Sequence, residues 1–168
     1  MENLFYLEDL VEDMREKNII MINLIKEGLL GNFLEDIKEC NRVFIYGGGN
    51  FNIIGEYFKG ELIDLGKNVF DFYKEEELKE VLNIINRDEC LIIIDLYSSK
   101  NYLEKIKEDL DKREIKTYFL GEHKDKKVPI CTFNLGEIEN NLGELELYII
   151  LIRFLKELLK EDKNYKLL

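Results

Sequence analysis

The sequence predicts an α/β fold: a five-stranded parallel sheet with helices on both faces and extra helices at the N-terminus. Three observations lead there. Short apolar runs rich in Ile, Val, Phe and Tyr recur along the chain. Helical patterns separate them, and a run of three glycines ends the first. Strands covered on both faces read as continuous apolar runs rather than alternating ones. Parallel neighbours need crossovers long enough to hold a helix, and those crossovers are right-handed.

The first forty residues read as helical. Leu7, Leu10, Val11 and Met14 recur at helical spacing, and Ile19, Ile20, Ile22, Leu24 and Ile25 continue the apolar pattern. Gly28 and Gly31 bracket a break before a shorter helix over Asn32–Cys40. Strands follow at Arg42–Tyr46, Asn68–Phe72, Cys90–Asp95, Lys116–Leu120 and Ile130–Phe133. Helices are expected at Phe51–Leu65, Glu75–Ile85 and Asn101–Arg113, with a long last helix from about Gly143 to Lys160. Stacked this way, the elements make a three-layer, flavodoxin-like, doubly wound sandwich. The division expected is N-terminal connecting or dimerisation helices over 1–40, the main domain over 41–162 and a tail over 163–168.

A chain of 168 residues suits one domain with a sizeable core. Hydrophobic content of 46% with 35% charge fits a globular chain rather than a disordered one. No apolar run reaches the roughly 20 residues of a membrane span. The acidic start lacks the basic flank of an export signal. Cys40, Cys90 and Cys131 are far apart and form no CxxC pair, so they read as reduced thiols of a cytoplasmic protein. His123 is the single histidine, so no multi-histidine metal centre forms within one chain. No metal and no cofactor is expected. The net charge of −11 and the absence of a basic stripe argue against direct nucleic-acid binding. The densest basic run, Lys124, Lys126 and Lys127, is interleaved with acids and reads as a solvated loop.

The chemistry concentrates at two loops. Val43-Phe44-Ile45-Tyr46 runs into Gly47-Gly48-Gly49-Asn50-Phe51-Asn52, a strand, a tight turn and a helix start. Glycines there let a ligand approach the backbone. Free N–H groups and the helix dipole favour an anion such as phosphate, and an overall acidic chain does not forbid this. The second loop follows the third strand: Asp95-Leu96-Tyr97-Ser98-Ser99-Lys100-Asn101. Ligands of doubly wound sheets bind beyond the strands' carboxyl ends, where the strand order reverses, which places the two loops side by side. Ser98, Ser99 and Asn101 are anion ligands or helix N-caps. Gly47, Gly48, Gly49, Asn50 and Asn52 complete the candidate ligand set.

On these motifs the chain resembles the sugar isomerase (SIS) domain family. That family pairs a G-x-G-x-S loop after the first strand with an S-x-S-G-x-T loop after the third. Gly47 and Gly49 match the glycines. Phe58-Lys59-Gly60-Glu61-Leu62 through Leu65-Gly66-Lys67-Asn68-Val69 resembles the family's "kL..lGk.V" segment. The likeness covers about residues 40 to 160 and is nearest to the phosphosugar-sensing domain of RpiR-type transcription regulators, without their helix-turn-helix domain. The resemblance implies a sugar phosphate or similar small anion as ligand and a homodimer or homotetramer as the assembly. It departs from the family in both loops. The serine of the first loop falls at Phe51. In the third-strand loop, one register puts the family serines at Leu96 and Ser98 and the threonine at Asn101. The other puts the serines at Asp95 and Tyr97, where a carboxylate would repel phosphate. The first register is preferred for its polar residues. The ligand site is therefore degenerate.

A sugar-phosphate isomerase needs a general base. Glu137 and Glu139, after the fifth strand, are the candidates, with solvated loop acids or caps of the final helix as the plainer reading. Heptose-phosphate isomerases of the family use histidine-containing metal sites, which the helix around Glu56–Glu61 lacks. The reading is a noncatalytic phosphosugar sensor domain related to transcription regulation; the alternatives are an isomerase or a ligand-free dimerisation module. The broad apolar surface of the last helix and of Ile19–Ile25 suggests a subunit interface.

Overall fold

The first strand, β1 (Arg42–Gly47), is buried from Val43 to Gly47 and packs both faces, which is why its apolar run does not alternate. In the computed structural model, residues 30–94, 100–121, 133–134 and 144–165 are described, together with Arg15. The other elements are α1 (Leu30–Glu39), α2 (Asn52–Asp64), β2 (Val69–Phe72), α3 (Glu75–Ile84), β3 (Glu89–Ile94), α4 (Lys100–Lys112), β4 (Lys116–Gly121) and α5 (Glu144–Tyr165). A single tight turn of 3-10 helix, Gly49–Phe51, leads into α2.

The strands lie in the order β2-β1-β3-β4, all parallel. Phe133–Asn134 pairs in parallel with Leu120 and Gly121 on the outer side of β4. Residues 130–132, the rest of the strand expected there, lie outside the described residues. The helices expected before residue 30 lie outside the described residues, Arg15 apart; the other described boundaries agree with the sequence reading to within a residue or two. The exception is α5, which continues to Tyr165.

Side chains that alternate along the strands enter two separate cores. On one face, Val43, Ile45, Cys90, Ile92 and Ile94 meet Phe33 and Ile37 of α1, Ile54, Phe58 and Leu62 of α2, and Leu151, Ile152 and Leu155 of α5. On the other, Phe44, Tyr46, Leu91, Ile93 and Phe119 meet Leu78 of α3 and Ile106 and Leu110 of α4. This is a three-layer α/β arrangement. Most of its stability comes from removing these apolar faces from water.

Polar contacts tie neighbouring elements together within each layer. Glu89, 2% exposed, pairs with Arg42 and accepts the Asn86 N–H at 3.0 Å. Arg113 donates to the carbonyls of Leu82 and Ile85 and so caps the C-terminal end of α3. Lys156 of α5 pairs with Glu61 and, at 2.9 Å, with Asp64 of α2. Those two hydrogen bonds push the Lys156 pKa up. Among the described residues, no helix is long and apolar enough to cross a membrane.

Candidate functional site

β1 lies beside β3 in register, with Gly47 opposite Ile94. From β1 the chain turns back through α2 to β2 on one side, while β3 lies on the other. The crevice between the β1 and β3 ends is thus the point where strand order reverses. The loop after β1 is stitched to the end of β3 by one backbone bond: the Gly48 N–H donates to the Ile94 carbonyl at 2.9 Å. Asp95, the start of the second loop, follows directly.

The turn itself is tight. Gly47 is buried, and a methyl on it would lie 2.5 Å from the Phe51 carbonyl oxygen. Only glycine permits that approach. Gly48 is buried and extended, at φ −65° and ψ 135°. Gly49 is exposed at φ 58°, the left-handed region. The Phe51 N–H closes the turn on the Gly48 carbonyl at 3.1 Å. Two of the turn's amides are therefore already bonded within the chain. Asn50 sits in the 3-10 turn; its side chain is outside the described residues. Asn52 opens α2 with an exposed side chain, but its Oδ1 accepts the Ile53 N–H at 2.8 Å, which leaves its NH₂ group as the outward donor.

The second loop is less complete. Ser98 and Ser99 lie outside the described residues, as do Glu137, Glu139, His123 and Cys131. Asn101 falls in the first turn of α4, its side chain likewise undescribed. The backbone thus brings the Gly47–Asn52 turn and the β3 end together, and Asn101 is the second residue of the next helix, α4.

The residue at the family's serine position does something the sequence reading left out. Phe51 is 1% exposed and points into the core. Its ring lies 5.2 Å from that of Tyr148 of α5, inclined by 58°. A signal was present: Phe51, Ile54, Gly55, Phe58 and Leu62 share one helical face, and all are buried. Gly55 lets α2 approach β1, with ordinary contact at 3.5 Å from an added methyl to Ile45.

The two described thiols, Cys40 and Cys90, are not reactive. Burial pushes the pKa of Cys40 up and that of Cys90 well up, so both are protonated near neutrality and neither is an activated nucleophile. No group of His, Cys, Asp or Glu among the described residues could hold a metal ion. Near the β2 end, Tyr73 is exposed with Lys74 Nζ 5.8 Å from its ring centre, and Glu75, Glu76 and Glu77 occupy the first turn of α3.

These features define a parallel α/β domain whose β1 and β3 ends meet at the carboxyl edge of the sheet. The chain belongs to the SIS domain family, whose sequence profile matches residues 36–129. No curated protein matches it by sequence. Solved structures share the fold. The sugar isomerase domain of an RpiR transcription factor from Sphaerobacter thermophilus superposes with a TM-score of 0.66 at 13% identity, over 92% of this chain and 91% of that one. Phosphoheptose isomerase from Neisseria gonorrhoeae gives 0.61 at 11% identity, over 92% and 99%. The NanR protein of Vibrio vulnificus, solved with ManNAc-6P, gives 0.56 at 17% identity, over 92% and 65%.

Proposed function

We propose that this chain is a noncatalytic phosphosugar-binding SIS domain of the kind found in RpiR-type regulators, with a reduced ligand site at the β1 and β3 loops. Its ligand is a sugar phosphate or similar small anion. Gly47, Gly48, Gly49, Asn50 and Asn52 would hold it from the first loop, and Ser98, Ser99 and Asn101 from the second. The carrying observation is the turn at the reversal point, with glycine-only geometry at Gly47 and tied to the β3 end through Gly48. The ManNAc-6P complex of NanR supports the ligand class by fold analogy. The reading takes Phe133–Asn134 as the described part of a fifth strand, which would complete a flavodoxin-like sheet. It takes the chain as a cytoplasmic homodimer or homotetramer, with residues 1–40 as connecting or dimerisation helices, 41–162 as the ligand domain and 163–168 as a tail.

A specific observation favours a second reading. Phe51 fills the family's serine position with a buried ring, so the first loop lacks a hydroxyl there. That suits a ligand-free dimerisation module. A thermal-shift screen of sugar phosphates and amino-sugar phosphates separates the two, since a ligand of the folded state raises Tm by mass action. A shift that is lost in Ser98→Ala supports the sensor site. No shift at millimolar concentration with any of them favours the module. Turnover of a hit, abolished in Glu137→Gln or Glu139→Gln, would instead make the chain an isomerase.

A further inference from the structure

We propose that Phe51 is a positioning residue: it holds the glycine turn from behind and couples it, through Tyr148, to the packing of α5. The proposal rests on the reading of the turn as a ligand site and adds how occupancy there would be transmitted.

The geometry leaves the turn little independent motion. The Phe51 carbonyl lies against Gly47, and the Phe51 N–H is bonded to the Gly48 carbonyl. The Gly48 N–H is in turn bonded to the β3 end. Displacing the turn therefore displaces the Phe51 ring. That ring has nowhere to go, being 1% exposed and packed on Tyr148, itself 1% exposed. Close packing transmits such shifts rather than absorbing them.

From Tyr148 the contact continues along the helix pair. Leu151, Ile152 and Leu155 of α5 share a core with Ile54, Phe58 and Leu62 of α2. Arg153 Nε donates to the Tyr57 hydroxyl at 3.3 Å, and Lys156 bridges Glu61 and Asp64. α2 starts at the turn and α5 packs along it, so the ring pair fixes the start of a continuous interface. A ligand that orders the turn then tightens α5, and linkage requires the reverse: weakening the ring pair must weaken the ligand's hold by the same factor.

The test is amide hydrogen exchange on the full chain, comparing wild type with Tyr148→Leu, Tyr148→Phe and Leu78→Ala. Without ligand, Tyr148→Leu should speed exchange of the Gly48 and Phe51 amides about 2- to 10-fold, the range an aromatic pair contributes. Tyr148→Phe keeps both rings and should restore wild-type exchange. Leu78→Ala loosens the opposite core and should leave these two amides no faster than the rest of β1. With glucosamine 6-phosphate or inorganic phosphate as probe, wild type should gain protection at residues 48–51 and 148–155 together. Protection confined to 48–51 overturns the coupling and leaves the ligand reading standing. No protection from either probe counts against the ligand reading, and the ligand-free comparison then decides alone. Equal exchange in Tyr148→Leu and Tyr148→Phe overturns the proposal.

Discussion

Replacing Gly47 by Ala puts a methyl where the structure has backbone. The added carbon would lie 2.5 Å from the Phe51 carbonyl oxygen, 2.9 Å from its carbon and 3.0 Å from the Asn52 Cα. None of these is the end of a flexible side chain, so the turn into α2 must shift. Overpacking of this kind costs about 1–3 kcal/mol. A chain of this size loses about 2–4 °C of Tm per kcal/mol, so the melt should fall by about 2–12 °C. Two glycines of α2 calibrate the result. A methyl on Gly60 meets no atom within 4 Å, so Gly60→Ala should gain the helix-interior preference of about 0.5–1 kcal/mol. Gly55→Ala makes ordinary contact at 3.5 Å with Ile45 and should melt at or slightly above wild type. Far-UV circular dichroism melts of the three variants read the order directly. Gly47→Ala melting within about 1 °C of wild type, less than the smallest loss expected from overpacking, would refute the close approach of turn and strand.

Three further perturbations test packing, one at the turn and two away from it. Phe51→Ala empties a fully buried ring position and should lower stability by about 3–5 kcal/mol in urea unfolding, as large-to-small aromatic changes do. Arg42→Ala strips the partner from a carboxylate that is 2% exposed and should cost about 1–3 kcal/mol, with Glu89→Gln in the same background recovering part of it. Lys156 has a pKa raised in the fold by Glu61 and Asp64. Its contribution is therefore complete below the unfolded lysine value of about 10.4 and is lost as pH rises through the folded value. The Tm advantage of wild type over Lys156→Met should be constant at neutral pH and shrink above about pH 10.4.

Much of the fold was legible because each strand is covered on both faces. β1 and β3 are continuous apolar runs, and their ends could be placed by the glycines and the charged residues that follow. Helix ends were similarly marked: Lys74-Glu75-Glu76-Glu77 opens α3, and Gly66, at φ 79°, follows α2. The reach of α5 to Tyr165 was not legible, because its last residues are polar and carry no apolar period. At the site, the glycine turn was legible as a motif, and its position beside the β3 end followed from strand order. The destination of Phe51 was not taken from the motif, since a ligand loop reads as an outward-facing feature. The apolar period of α2 extended backwards by one turn places that ring in the core instead. Asn52 likewise looked like a ligand amide, but its oxygen is held by the adjacent Ile53 N–H.

The central claim is that the two loops at the β1 and β3 ends form one anion site. Backbone amide chemical shifts of the isotope-labelled chain, titrated with a panel of sugar phosphates, test it most directly. The account predicts saturable shifts that cluster at residues 47–52 and 96–101 for at least one member. Shifts that fall elsewhere, or none at millimolar concentration, would contradict it.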